Sequence, residues 1–135
     1  MSAEFSPVQV QAMFQREGGA CFYCRRPLAW EHRAAPFAGG WSAHHRIDRG
    51  NGGRGKKATV TCADGLILCG TGTTGCHGAV SHDKTRAIEL GLSIPRLARG
   101  PEFDPLNVAA TRKDGTKVVL TADGGAVEVE QKTWA

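Results

Sequence analysis

At 135 residues the chain is long enough for one domain with a small appendage, and too short for a large hydrophobic core, so metal crosslinks would add to its stability. Its apolar and charged fractions, 41% and 22%, are those of a soluble globular protein, and no repeat or low-complexity tract is present. No apolar run reaches the length of a membrane span and the N-terminus lacks a signal-peptide core, which points to a cytoplasmic protein with no membrane partner.

The net charge of +4 is unevenly placed. Between Cys21 and Lys57, Arg25, Arg26, Arg33, Arg46, Arg49, Arg54, Lys56 and Lys57 stand against Glu31 and Asp48, while the rest of the chain is slightly acidic. A basic segment of this kind suits a polyanionic partner, and on charge alone a solvated loop explains it equally well. Five cysteines without a secretion signal point to metal binding rather than disulfides, and the odd count leaves one over.

Ser6-Pro7-Val8-Gln9 reads as a helix start, with Ser as N-cap, Pro at the first helical position and Gln at the capping-box position. Val10, Met13 and Phe14 then share one face, Gly18-Gly19 ends the run, and a helix over 6–17 is predicted. Cys21-x-x-Cys24 has the spacing of a zinc knuckle. Residues 27–40 read as loop, with Trp30 and Phe37 as anchors, and 41–47 as a strand. The Gly-rich basic stretch 49–57 lacks the following helix of a phosphate-binding loop. Residues 60–68, interrupted at Asp64-Gly65, supply the returning strand. A helix opens near Cys76, and a further one over 83–91 is capped by Ser81 or Asp83 and closed by Gly91. Val118-Val119-Leu120, Asp123-Gly124-Gly125 and the alternating Val127 and Val129 give a β-hairpin signal.

Cys21, Cys24, Cys69 and Cys76 form the expected four-thiolate zinc site, since structural zinc is held tetrahedrally by protein ligands alone. Cys62 stands seven residues before Cys69 and competes for a place. It is left out because a site built from a knuckle and a helix needs its last ligand in the helix's first turn, where only Cys76 sits. His44 and His45 are adjacent, so on a regular strand they point to opposite faces, and they flank one substrate only if the strand ends or bends there. His77 directly follows a thiolate ligand. A metal held by two or three side chains keeps open positions that polarise a phosphate oxygen, and a neighbouring neutral imidazole takes a proton from water. His32 reads as a surface residue.

Cys-x-x-Cys, Ala-His-His-Arg, Gly-Asn-Gly-Gly, Leu-Cys-Gly-Thr-Gly-Thr-Thr-Gly-Cys-His-Gly and the helix ending Leu-Gly-Leu together resemble the HNH endonuclease family in its zinc-bearing bacteriophage form, over about residues 21–95. The resemblance implies an α+β chain with a zinc-stabilised, treble-clef-like ββα-metal core, flanking helices and a C-terminal β-hairpin. It divides the chain into a nuclease domain over 1–97, its zinc and metal core at 20–82, and an extension over 98–135. It implies a DNA endonuclease in which His45 is the general base, and His44 and His77 hold a catalytic Mn²⁺, Ni²⁺, Zn²⁺ or Mg²⁺. Asp64 stands where the family carries Asn. Ionised Asp cannot donate the hydrogen bond that Asn can, so it either joins the metal shell or marks a decayed site. His82 follows His77 by five residues, whereas relatives with a second helix histidine place it four residues on, on the same face. Arg46, Arg49, Arg54, Lys56 and Lys57 should hold DNA phosphates. The resemblance also suggests phage packaging proteins (terminase) as partners, in the host cytoplasm. The rival expectations are a catalytically inactive zinc-stabilised nucleic-acid-binding module, and a structural interaction protein whose histidines merely bind metal.

Overall fold

The computed structural model describes residues 5–35, 40–47, 60–71, 73–95 and 97–129. Helix α1 (Pro7–Arg16) begins where the sequence signals it: Ser6 Oγ accepts from the Gln9 N–H, and the Gln9 side chain accepts from the Ser6 N–H. This reciprocal cap satisfies two otherwise orphaned donors. Val10 and Met13 form its buried face.

Strand β1 (Trp41–His45) pairs antiparallel with β2 (Gly65–Cys69), with Trp41 opposite Cys69, Ala43 opposite Ile67 and His45 opposite Gly65. Both strands are shorter than expected. β1 ends because Arg46 turns its N–H to the Asp64 carbonyl and gives its own carbonyl to Ile94. β2 starts late because Cys62–Asp64 forms a 3₁₀ turn, closed by a reciprocal cap between Thr61 and Asp64. Trp41 and Ile67 pack with Val10 and Met13, whereas Leu66 and Leu68 join the core that contains Val80 and Leu92. The period-two alternation of a strand thus gives each face of this small sheet its own apolar cluster.

Helix α2 (Gly75–His82) is the next element after β2, and α3 (Lys84–Glu89) follows α2, its Arg86 N–H capped by the Asp83 carboxylate at 3.1 Å. Gly91 closes α3 at φ +71°, and a Cβ there would lie 1.9 Å from the Ala109 carbonyl oxygen, so only glycine fits.

The C-terminal hairpin signal corresponds to β4 (Lys117–Leu120) and β5 (Ala126–Glu128), and β3 (Ala110–Thr111) adds a third antiparallel strand on the far side of β4. Ala110, Val118 and Leu120 are buried in the same cluster as Phe22, Leu66 and Leu68. Residues 110–120 therefore contribute to the core that supports the cysteine knuckle. The architecture is α+β. Among the described residues no helix is long and apolar enough to cross a membrane.

Candidate metal centres

The Sγ atoms of Cys21, Cys24, Cys69 and Cys76 all lie within 4.8 Å of one another. Each reaches that point for a local reason. The Cys21–Cys24 turn is closed by Cys21 N–H donating to the Arg26 carbonyl and by Arg25 N–H donating to the Cys21 carbonyl. Arg25 takes φ +65° there and anchors its guanidinium on the Glu17 carbonyl at 2.9 Å. Cys69 is the last residue of β2 and Cys76 lies in the first turn of α2, where its N–H donates to Cys69 Sγ at 3.4 Å. Zn–S bonds of about 2.3 Å set tetrahedral sulfurs about 3.8 Å apart. Cys24 Sγ and Cys69 Sγ are 3.8 Å apart. The Cys21 thiol is drawn down to about 5, chiefly by the hydrogen bond from Cys76, while giving that bond pushes the Cys76 thiol up. Four convergent soft donors with one already biased to thiolate can hold a metal ion such as zinc. Cys62 stays out, as its buried thiol sits in the α1 cluster with Sγ 3.8 Å from the Gln9 carbonyl.

A second pair of donors lies beside this cluster. Ser42 and His44 share one face of β1, and His77 comes from the first turn of α2, one residue after Cys76. The His44 and His77 rings meet edge to face with centroids 5.1 Å apart. His44 is 4% exposed, and its Nε2 lies 2.9 Å from the Leu92 carbonyl. A carbonyl only accepts, so Nε2 carries the proton and Nδ1 keeps a lone pair. Burial, then the proximity of His77, brings His44 down to about 3, and burial, then the Lys84 charge, lowers His77. Both imidazoles are neutral at neutral pH, the form that ligates metals. Among the described residues no third imidazole, thiol or carboxylate completes a three-ligand group with them.

His45 faces the other way. It is half-buried on the α1 side of the sheet and stacks on Phe5 at 4.3 Å, with ring planes 16° apart. Gly65 opposite makes room: a Cβ there would meet the Phe5 ring at 2.5 Å and Met13 sulfur at 2.8 Å. The structure thus brings His44 to His77 and leaves His45 on the opposite face. Asp64 is not gathered with the pair either. Its carboxylate accepts from Thr61 N–H at 2.7 Å and from Thr61 Oγ1 at 3.3 Å, while burial pushes its pKa up.

The assignment of Arg46 to DNA phosphate is corrected. Arg46 is fully buried, and its five N–H groups reach the carbonyls of Gly91 (twice), Ala63, Pro105 and Val108 at 2.8–3.1 Å. No donor remains for a phosphate. Burial lowers its pKa to about 10, and the guanidinium remains a cation at neutral pH. Arg49, Arg54, Lys56 and Lys57, the Gly-Asn-Gly-Gly run and Phe37 lie outside the described residues. His82, the last residue of α2, is exposed, and Trp30 packs on Phe14 and Trp41.

Two residues near the pair escape a reading by motif. Lys84, half-buried at the start of α3, places a positive charge that both His44 and His77 feel. Ser42 contacts His77 Nδ1. Its position two residues before His44, hence on the same strand face, is the signal that could have found it. Comparison of the chain with protein-family models, with curated proteins and with solved structures gives no match.

Proposed function

We propose that the protein is a metal-dependent DNA endonuclease, in which β1, β2 and α2 are the two strands and helix of a ββα-metal fold held by zinc in the cysteine cluster. One observation carries the reading: two neutral histidines from a strand and a helix meet 5.1 Å apart, directly beside four convergent thiols. A closed thiolate site beside a pair of imidazoles with open positions divides structural from reactive metal chemistry. His44 Nδ1 and a nitrogen of His77 are the donors. A divalent cation held by these two nitrogens would supply positive charge against a phosphate oxygen and the departing 3′ oxygen. Imidazole donors favour Mn²⁺, Ni²⁺ or Zn²⁺ over Mg²⁺. Lys84 adds a second cation on the same side, suited to a phosphate's non-bridging oxygen.

His45 is the candidate base that takes a proton from water. Because it lies across the strand from His44, the phosphate it serves must sit at the end of β1, where both histidines border the 46–64 connection. The basic residues at 49–57 then hold flanking phosphates. The test is incubation of plasmid DNA with zinc-loaded protein and added Mn²⁺, Ni²⁺, Zn²⁺ or Mg²⁺, beside a His44→Ala/His77→Ala double variant. Metal-dependent cutting that the double variant lacks supports the reading.

The second reading, a zinc-stabilised nucleic-acid-binding module without catalysis, is favoured by the His45 stack on Phe5. DNA binding with no cutting in any metal would establish it over the first.

A further inference from the structure

We propose that Ser42 is a positioning residue that fixes His77 with its proton on Nδ1 and its lone pair on Nε2, and so makes Nε2 the metal donor. The metal part of this rests on the reading of His44 and His77 as ligands; the tautomer part stands on hydrogen-bond accounting alone. Ser42 Oγ has one proton, and it donates that proton to the Gly70 carbonyl at 2.9 Å. Toward His77 Nδ1 the hydroxyl oxygen can therefore only accept, which requires Nδ1 to carry hydrogen. The Leu92 carbonyl imposes the complementary choice on His44, with hydrogen on Nε2 and the lone pair on Nδ1.

Metal-binding histidines depend on such partners, because the group that holds one ring nitrogen decides which nitrogen is free and how the ring is turned. Here the partner is tied to the cysteine cluster. Gly70, the acceptor of the Ser42 proton, directly follows Cys69, and its own N–H is held by the Gly40 carbonyl at 2.7 Å. His77 directly follows Cys76. Each of these two cysteines is thus followed directly by one part of the arrangement: Cys69 by the carbonyl that orients the Ser42 hydroxyl, and Cys76 by the imidazole that this hydroxyl orients. Closing the thiol site sets the tautomer of the neighbouring one.

Long-range proton–nitrogen NMR correlations on the zinc-loaded wild type read the tautomer directly and need no variant: His77 is expected with hydrogen on Nδ1 and His44 with hydrogen on Nε2. Ser42→Ala should move His77 toward the Nε2–H form, and Ser42→Thr, which keeps a hydroxyl, should restore the wild-type pattern. In Ni²⁺ titrations of the same zinc-loaded proteins, Ser42→Ala should weaken binding by roughly 10–100-fold with zinc content unchanged, and Ser42→Thr should recover it. Nε2–H at His77 in the wild type, or Ser42→Ala matching the wild type in both tautomer and Ni²⁺ affinity, would overturn the proposal. A wild type that takes up no Ni²⁺ at the pair ends the metal-ligand reading instead, and the NMR result alone then decides whether Ser42 sets the tautomer.

Discussion

Cys76 and His77 are consecutive residues in the first turn of α2, so the side chain that completes the thiol cluster and the side chain that meets His44 share one piece of backbone. Neither can be displaced alone. Purified protein is expected to carry about one tightly held zinc per chain, read by metal analysis. Cys24→Ser should lose that zinc and unfold much of the core, read by circular dichroism, because binding free energy at such a site is folding free energy. A folded, zinc-free wild type would refute the structural-metal claim.

Arg46 should report on stability, not on DNA. Truncating it to Ala strands carbonyls from four residues in a dry setting, at about 1–3 kcal/mol for each buried group left unpaired. Arg46→Ala is therefore expected to cost at least about 3 kcal/mol in denaturant unfolding. Where it folds, the salt dependence of DNA binding should be unchanged. Replacing Arg54, Lys56 and Lys57 together should instead weaken DNA binding alike on all sequences and flatten the salt slope by up to about three units. A flattened slope in the Arg46 variant would contradict its burial.

His44 and His45 should separate in kinetics. His45→Ala is expected to abolish cutting while leaving metal uptake and DNA binding nearly intact, since a base is needed only in the transition state. His44→Ala should weaken uptake of the second metal, and excess metal should restore part of the activity. Full cutting activity in His45→Ala would remove the base assignment and move the search for a proton acceptor to the His44 face.

Gly65→Ala tests the packing that holds His45. The new Cβ would meet the Phe5 ring at 2.5 Å, so a loss of roughly 1–3 kcal/mol is expected in thermal or denaturant unfolding. Phe5→Ala in the same chain should recover part of that loss. Additive losses in the double variant would show that the two residues do not touch.

Acid should destabilise the fold through His44. Its folded pKa is lowered from 6.5 to about 3, so below 6.5 the unfolded chain binds a proton that the folded chain refuses. Stability therefore rises with pH across that window and falls as pH drops from 6.5 toward 3, by up to about 1.4 kcal/mol per pH unit. His44→Gln removes the titration while its amide nitrogen, which reaches about as far as imidazole Nε2, keeps a donor for the Leu92 carbonyl. The difference between the wild-type and variant curves over this window should show the slope, and parallel curves would deny it.

The features legible in the sequence are those set by neighbours in the chain. The Ser6–Gln9 cap is local chemistry, and the cysteine quartet follows from where a knuckle and a helix can place ligands, which also left Cys62 aside. Arg46 was illegible for the opposite reason. Beside a basic loop an arginine looks solvated, and only the convergence of carbonyls from Ala63, Gly91, Pro105 and Val108 turns it inward. Strand period put His44 and His45 on opposite faces, but whether the strand bends before His45 depended on Phe5 and Gly65 closing over it. At two residues, β3 is too short to show alternation. Lys84 matters through space and carries no motif.

The packing of Ala110, Val118 and Leu120 against Phe22, Leu66 and Leu68 reaches beyond architecture. Arg112 lies over the Phe22 ring, and Lys113 N–H donates to the Tyr23 carbonyl, so the end of β3 is fastened to the turn between Cys21 and Cys24. A chain shortened at about residue 97 would retain all four clustered cysteines and lose these supports of the turn between Cys21 and Cys24. The chain cannot be passed on in halves: a recombination event that exchanged its last strands for unrelated ones would have to supply a new floor for the knuckle in the same step.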